Sequence, residues 1–369
     1  MPCKHERISQ RLAILAILPD INGGGAQRVT INLLNNIAIN GLRVGLISFV
    51  EFGTLKNFLS HTVEMYIVKA SSLRWALPSL TRVLKDLRPE VIFSTFGYVN
   101  ISILALKIIL RLKIRVWIRE ANLPSLSLQN SRFSYLLILA YKILYHRADL
   151  VICSSERMRN ELIHKFGVPP RKIRFLANPV DEVTIRKHAL LKKLSCTSCR
   201  RFVSVGRLTK QKGFDRLLKM FAELDDMQTE LVIIGEGTLE HSLRQQAKRL
   251  GITSRVRFIG FTENPWIWLR ISDVFLLPSR WEGMPNAALE ALACGIPVIA
   301  TPESGGIAEV AVLTEPGTVQ VIEIGKSYIE AMQKVRYRSK DILYPSLLPP
   351  QYRLEFVVDT FVSWLNEVD

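Results

Sequence analysis

The chain has 369 residues, enough for two ordinary domains, with 48% hydrophobic and 22% charged residues. That composition excludes a disordered, collagenous or repeat-array chain and allows a real buried core. The formal charge of +16 is one-sided: residues 1–190 hold 27 Lys+Arg against 12 Asp+Glu, and residues 191–369 hold 22 against 21, so the N-terminal half is suited to a polyanionic partner, either nucleic acid or an anionic membrane leaflet.

In chain order, the run LAILAIL at Leu12–Leu18 is short, leads into a glycine loop and reads as a first β-strand rather than a secretion signal. Gly23-Gly24-Gly25 follows, then the helical pattern QRVTINLLNNIAIN and the strand VGLISFV. VIFSTF, VWIRE and DLVICSS continue the series, and Asn40-Gly41 and Arg88-Pro89 mark helix ends. A spanning helix needs about 20 mainly apolar residues. Ile101–Leu110 is broken by Lys107 and Tyr135–Tyr145 by Lys142, so neither qualifies, and we expect a cytoplasmic protein.

The second half repeats the scheme with the strands RFVSVGRL, ELVIIGEG, RVRFIGF, DVFLLPS and IPVIAT, separated by helical stretches. Strands alternating with helices predict an α/β chain of two doubly wound, Rossmann-like domains with parallel sheets. The join falls in the polar stretch after Asn178-Pro179, through Lys187 to Arg200, where composition and charge shift together. Ligands of open parallel sheets bind beyond the carboxyl ends of the strands, so two such domains facing across a cleft would hold theirs between them. Of the five cysteines, Cys153 and Cys294 sit in apolar runs. Cys196 and Cys199 form one CxxC with no second ligand pair, and the bland reading is a loop thiol pair rather than a zinc site.

Chemistry concentrates in WEGMPNAALEALACGIPVIAT. Glu282 and Glu290 stand eight apart, Pro285 suits a first helical position, and Asn286 to Cys294 reads as a short helix stopped at Gly295. Free amides at that helix start would hold a phosphate. Glu290, one turn in, can accept two hydrogen bonds from vicinal ribose hydroxyls, while Glu282 in the loop can reach a transferred sugar. In VSVGRLTKQKGFD, Arg207 and Lys212 lie beyond a strand and before Gly213; two fixed cations there can neutralise a diphosphate. The chain has no internal Asp-x-Asp for a divalent metal. Gly24 and Gly25 allow close backbone approach to a phosphate or sugar, although their spacing is not GxGxxG.

In order and spacing, GGGAQRV, STFGYVN, REANLPS, RADLVICSS, LANPV, VGRLTKQKGF, VIIGEG, FIGFTENP and the WEGMPNAALEALACGIPVIAT segment resemble the family 4 glycosyltransferases, and most of all bacterial enzymes of O-antigen, capsule and related glycan assembly. The resemblance implies the GT-B architecture, with an acceptor-side domain over 1–183, a nucleotide-sugar domain over 184–345, and a C-terminal helix within 346–369 crossing back. It implies Arg207 and Lys212 on the donor diphosphate, Glu290 on the ribose, Glu282 on the donor sugar, and backbone contacts from Gly283, Met284, Pro285 and Asn286. Glu120 and Asn122 of the REAN segment would face the cleft. No metal or other cofactor is implied; the reaction would be a retaining, front-side transfer of a hexose or N-acetylhexosamine, with UDP the expected nucleotide. Three departures are visible: Ala26-Gln27-Arg28 lacks the usual acid before the Arg, the Gly-rich segment after Glu309 is short, and the N-terminal cleft strand carries no His.

Rival readings are a nucleic-acid binder, a catalytically idle scaffold of the same fold, and another GT-B enzyme such as a nucleotide-sugar epimerase. The first lacks aromatic interleaving on a basic strand, and the intact Glu282, Glu290, Arg207 and Lys212 argue against the second. The segments LALKIILRLKIRVWIR and SRFSYLLILAYKILYHR, with Lys107, Arg111, Lys113 and Arg115 in one and Arg132, Lys142 and Arg147 in the other, favour transfer to a polyisoprenoid-linked acceptor, with the protein peripheral on the inner leaflet of the cytoplasmic membrane.

Overall fold

The computed structural model describes residues 11–70, 73–129, 134–191 and 199–367. It divides into two compact units, residues 1–179 with 355–369 (unit 1) and residues 180–354 (unit 2). Cys196 and Arg132 lie outside the described residues.

Unit 1 is built on a parallel sheet of β1 (Ile14–Leu18), β2 (Val44–Ser48), β3 (Val63–Ile67), β4 (Val91–Ser94), β5 (Arg115–Arg119), β6 (Leu150–Cys153) and β7 (Ile173–Phe175). Their order is β3-β2-β1-β4-β5-β6-β7. Every residue of β1, β2, β4 and β6 is buried, as expected of strands with helices on both faces. Unit 2 carries β8 (Arg200–Val205), β9 (Thr229–Ile234), β10 (Val256–Gly260), β11 (Val274–Leu277), β12 (Val298–Ala300) and β13 (Val319–Val321). Their order is β10-β9-β8-β11-β12-β13, again parallel. The doubly wound α/β expectation holds in both units.

Three strands go beyond the sequence reading, and all three are edges. β3, β7 and β13 end their sheets, and in each only the first residue is fully buried. A half-covered edge does not need a continuous apolar run, so VEMYI, IRF and VQV give no periodic signal.

The two apolar basic segments fold as the helices Gly97–Ile109 and Ser134–Leu144. Among the described residues no helix is long and apolar enough to cross a membrane. The last helix, Leu354–Asn366, packs with unit 1. Its Phe361 is fully buried and meets the Phe93 and Trp117 rings edge-on, with centroids 5.6 and 5.2 Å away. Arg174 closes the helix end with a two-pronged contact to Glu367, at 2.9 and 2.6 Å.

Candidate active site

The residues singled out in unit 2 gather at the carboxyl ends of β8 and β11. Beyond β8 the chain passes Gly206 and Arg207, makes a short turn over Lys210–Lys212, and enters the helix Phe214–Ala222 through Gly213. Gly213 has φ 70°, and a Cβ there would lie 2.0 Å from the Pro278 carbonyl oxygen, so only glycine lets the two loops close. Arg216 locks them by donating to the Pro278 and Ser279 carbonyls at 2.6 and 2.5 Å. Arg280 adds a bidentate pair with Asp215, both bonds 2.7 Å, which holds the Asp215 carboxyl below its ordinary range.

On this frame Lys212 Nζ stands 2.5 Å from Glu282 Oε1, and Ser279 Oγ donates to the same oxygen at 2.8 Å. Glu282 is 5% exposed. Such a carboxylate stays stable only when paired and hydrogen-bonded, and both partners are supplied here. Arg207 is exposed, and its guanidinium makes no ion pair or hydrogen bond among the described residues. The site thus holds one committed cation and one available one.

From Glu282 the chain runs through Gly283 and Met284 into the helix Asn286–Ala293. Pro285 is the N-cap rather than the first helical residue, with φ −80° and ψ 94°. The backbone amides of Gly283, Met284 and Ala287 make no hydrogen bond among the described residues. Unpaired amides at a helix start attract an anion. The loop after β12 backs this turn: Gly306 donates its amide to the Gly283 carbonyl at 2.8 Å. Gly305, with φ 70°, has no room for a Cβ, which would lie 2.4 Å from the Glu282 carbonyl oxygen.

Glu290 takes a hydrogen bond from Trp266 Nε1 at 2.7 Å, and His188 stacks on that indole with centroids 5.6 Å apart. Trp266 and Ser279 are partners the sequence reading did not name. Trp266 directly follows the FTENP segment, which was the available signal. Ser279 ends DVFLLPS, and nothing in its local pattern points to Glu282.

In unit 1, Gly24 and Gly25 follow β1 and open the helix Gly25–Ile39. Gly24 has an extended φ of −151°, and a Cβ there would first meet the Gln27 side chain, itself held by Asp20. Glu120 lies just past β5, 4% exposed. Its Oε1 accepts from Tyr145, from Asn100 at 3.1 Å and from Tyr141 at 3.4 Å. Burial pushes its carboxyl up to about 7 despite these bonds. Asn122 is half-buried in the loop beyond it. Among the described residues no group of three or more His, Cys, Asp or Glu side chains could hold a metal ion.

The model for Glycosyltransferase Family 4 matches residues 23–183, and that for Glycosyl transferases group 1 matches residues 193–336. The chain belongs to the family 4 glycosyltransferases. It is 28% identical over 236 residues to an uncharacterized glycosyltransferase of Methanocaldococcus jannaschii, covering 60% of this chain and 58% of the relative. It is 31% identical over 198 residues to the N-acetylgalactosamine-N,N'-diacetylbacillosaminyl-diphospho-undecaprenol 4-alpha-N-acetylgalactosaminyltransferase of Campylobacter jejuni, covering 53% of each. The chain therefore spans little more than half the length of these two relatives. Among solved structures, Anabaena HepE in complex with UDP superposes with a TM-score of 0.77 at 19% identity, over 96% of this chain and 100% of that one. That likeness fixes the fold of this family 4 chain as GT-B.

Proposed function

We propose that the chain transfers a hexosyl or N-acetylhexosaminyl group, with retention, from a UDP-linked donor to a lipid-linked glycan in cell-surface polysaccharide assembly. The observation that carries this reading is the cluster beyond β8 and β11: exposed Arg207, the Lys212–Glu282 pair, and the unpaired amides of Gly283, Met284 and Ala287. These are donors and cations for a diphosphate that must leave. With no side chain standing out as a nucleophile, the acceptor hydroxyl attacks on the leaving-group face and passes its proton to the departing diphosphate oxygen. The protein contributes positioning and electrostatic stabilisation. Cations and amides do the work a divalent metal would do, so the reaction requires no metal.

The UDP held by HepE supports the choice of nucleotide, and the undecaprenol-linked acceptor in the Campylobacter relative's name supports a lipid-linked acceptor. The exposed side chains Tyr135, Leu136, Leu139 and Ile143 on the helix Ser134–Leu144 support contact with an anionic leaflet. The test is a panel of nucleotide-sugars offered to the purified protein with chelator present, scoring nucleotide release and protection against heat. UDP-sugars should protect and turn over without added metal. Protection only by other nucleotides, or activity restored only by Mg²⁺, would overturn the corresponding part.

A further inference from the structure

At the opposite edge of the unit 1 sheet, where its strands begin, two grooves share the residues Arg111 and Leu112. One, of about 490 Å³, is lined also by Lys107, His146, Arg147 and Lys172. The other, of about 600 Å³, is lined also by Arg11, Lys85, Arg88 and Lys113. These residues immediately precede β1, β4, β5, β6 and β7 or end the helices leading to them, so the topology brings cations from across the chain to one edge. Among the residues lining the two grooves Glu90 is the one carboxylate, and Asp149 nearby pairs with Lys107 and accepts the Val116 amide. Arg111, Lys113 and Arg147 make no ion pair or side-chain hydrogen bond among the described residues. Lys172 is pushed below the ordinary lysine range by burial, with Lys107, Arg171 and Arg147 adding repulsion against the pull of Asp149.

Backbone conformation points the same way. Arg88 and Arg111 have φ of 43° and 48°, the only non-glycine residues with positive φ among those described. Both follow a helix end, where glycine normally takes the left-handed turn without strain. A cation is welcome at a helix C-terminus, but a lysine or arginine one position earlier would satisfy that without the strain. Both arginines stand where glycine is the usual residue and both line the second groove; Arg88 Nε donates back to the Lys85 carbonyl at 3.2 Å, whereas the Arg111 guanidinium has no such partner among the described residues. At the first groove Ile108 and its neighbour Ile109 are exposed, an apolar flank that suits lipid rather than nucleic acid.

We propose that this strand-amino edge is a phosphate-binding surface that docks unit 1 onto the headgroups of anionic membrane lipid, with Arg111 standing between two phosphates. It rests on the leaflet reading above and assigns the contact to unit 1 residues outside the cluster beyond β8 and β11. Each cation near an anionic surface contributes about fivefold to partition and loses that value with salt. Replacing three of them, as Arg111→Gly, Lys113→Ser and Arg147→Ser together, should weaken flotation of the full chain with phosphatidylglycerol vesicles by about a hundredfold. Arg111→Gly relieves the left-handed strain, so that single variant should melt no lower than the parent while still losing affinity. If the parent floats and the triple variant floats equally well, the groove assignment is wrong and the leaflet reading stands. If the parent floats with neither phosphatidylglycerol nor phosphatidylcholine vesicles, both fall. If inorganic pyrophosphate raises the melting temperature through these same residues while vesicles do not bind, the grooves serve a soluble polyphosphate and the lipid assignment is overturned.

Discussion

Lys212 Nζ and Glu282 Oε1 stand 2.5 Å apart, joining the loop after β8 to the loop after β11. The two side chains are 17% and 6% exposed, so the pair is shielded enough for its loss to be felt. Lys212→Ala strands a buried carboxylate with only Ser279 for company. It should cost on the order of 3 kcal/mol, and the Lys212→Ala/Glu282→Gln double variant should recover part of that. Arg207→Ala, at an exposed side chain with no ion pair or hydrogen bond among the described residues, should leave the melting temperature unchanged while lowering turnover. Calorimetric melting of the four proteins beside nucleotide-release rates checks this. A melting loss for Arg207→Ala equal to that for Lys212→Ala would defeat the distinction.

Glu290→Ala removes the acceptor for Trp266 Nε1 and, on the proposed reading, the ribose contacts. Each charge-assisted hydrogen bond contributes roughly 1.5–3 kcal/mol. UDP affinity, read by isothermal titration, should fall at least about tenfold. Trp266→Phe keeps the ring on His188 but drops the donor, so it should release Glu290 without abolishing binding. Equal UDP affinity in parent and Glu290→Ala would sink the ribose assignment.

What the sequence made legible was local. ILAIL and VGLIS announce central strands because every residue in them is buried. The Glu282–Glu290 spacing and the Arg207–Lys212 loop are equally local, since one loop and one helix turn fix them. Contacts made by the topology were not legible. Trp266 reaches Glu290 from the start of a separate helix, Trp266–Arg270, and even the short-range Ser279–Glu282 bond depends on how the loop after β11 turns. The grooves around Arg111 collect cations from five strand beginnings, and the sequence reading saw them only as two basic apolar stretches. Glu120 was legible as part of a motif, but its burial beneath Tyr145 and Asn100 depends on a turn 25 residues downstream and a helix 20 residues upstream.

Phe361 ties the C-terminal helix to β4 and β5 through Phe93 and Trp117. Phe361→Ala empties a fully buried site and should cost about 3–5 kcal/mol. Because the helix packs with unit 1, the loss should appear in the unfolding of that unit, with unit 2 holding its own transition. Hydrogen exchange separates them: faster exchange in β4 and β5 and unchanged exchange in β8 and β11 is the expected pattern. Uniform acceleration across both units would show that they unfold together.

Glu120 gives unit 1 a pH dependence of its own. Its carboxyl ordinarily titrates near 4.5, and burial raises it to about 7, with Glu161 adding to the rise and the bonds from Tyr145, Asn100 and Tyr141 opposing it. The folded state therefore holds a proton that the unfolded chain has released across that interval. The stability this contributes is fully present below 4.5 and is lost as pH rises through about 7. At 1.36 kcal/mol per pH unit the loss is on the order of 3 kcal/mol. Glu120→Gln keeps an oxygen for the Tyr145 and Asn100 donors and cannot ionise. The parent should thus lose stability relative to Glu120→Gln between about pH 5 and pH 8, and the two should run parallel above that range once Glu120 is fully ionised. Denaturant melts of both proteins across this range check the sign. A parent that gains stability on the variant as pH rises would mean that Glu120 is ionised in the folded chain, with a buried cation holding it.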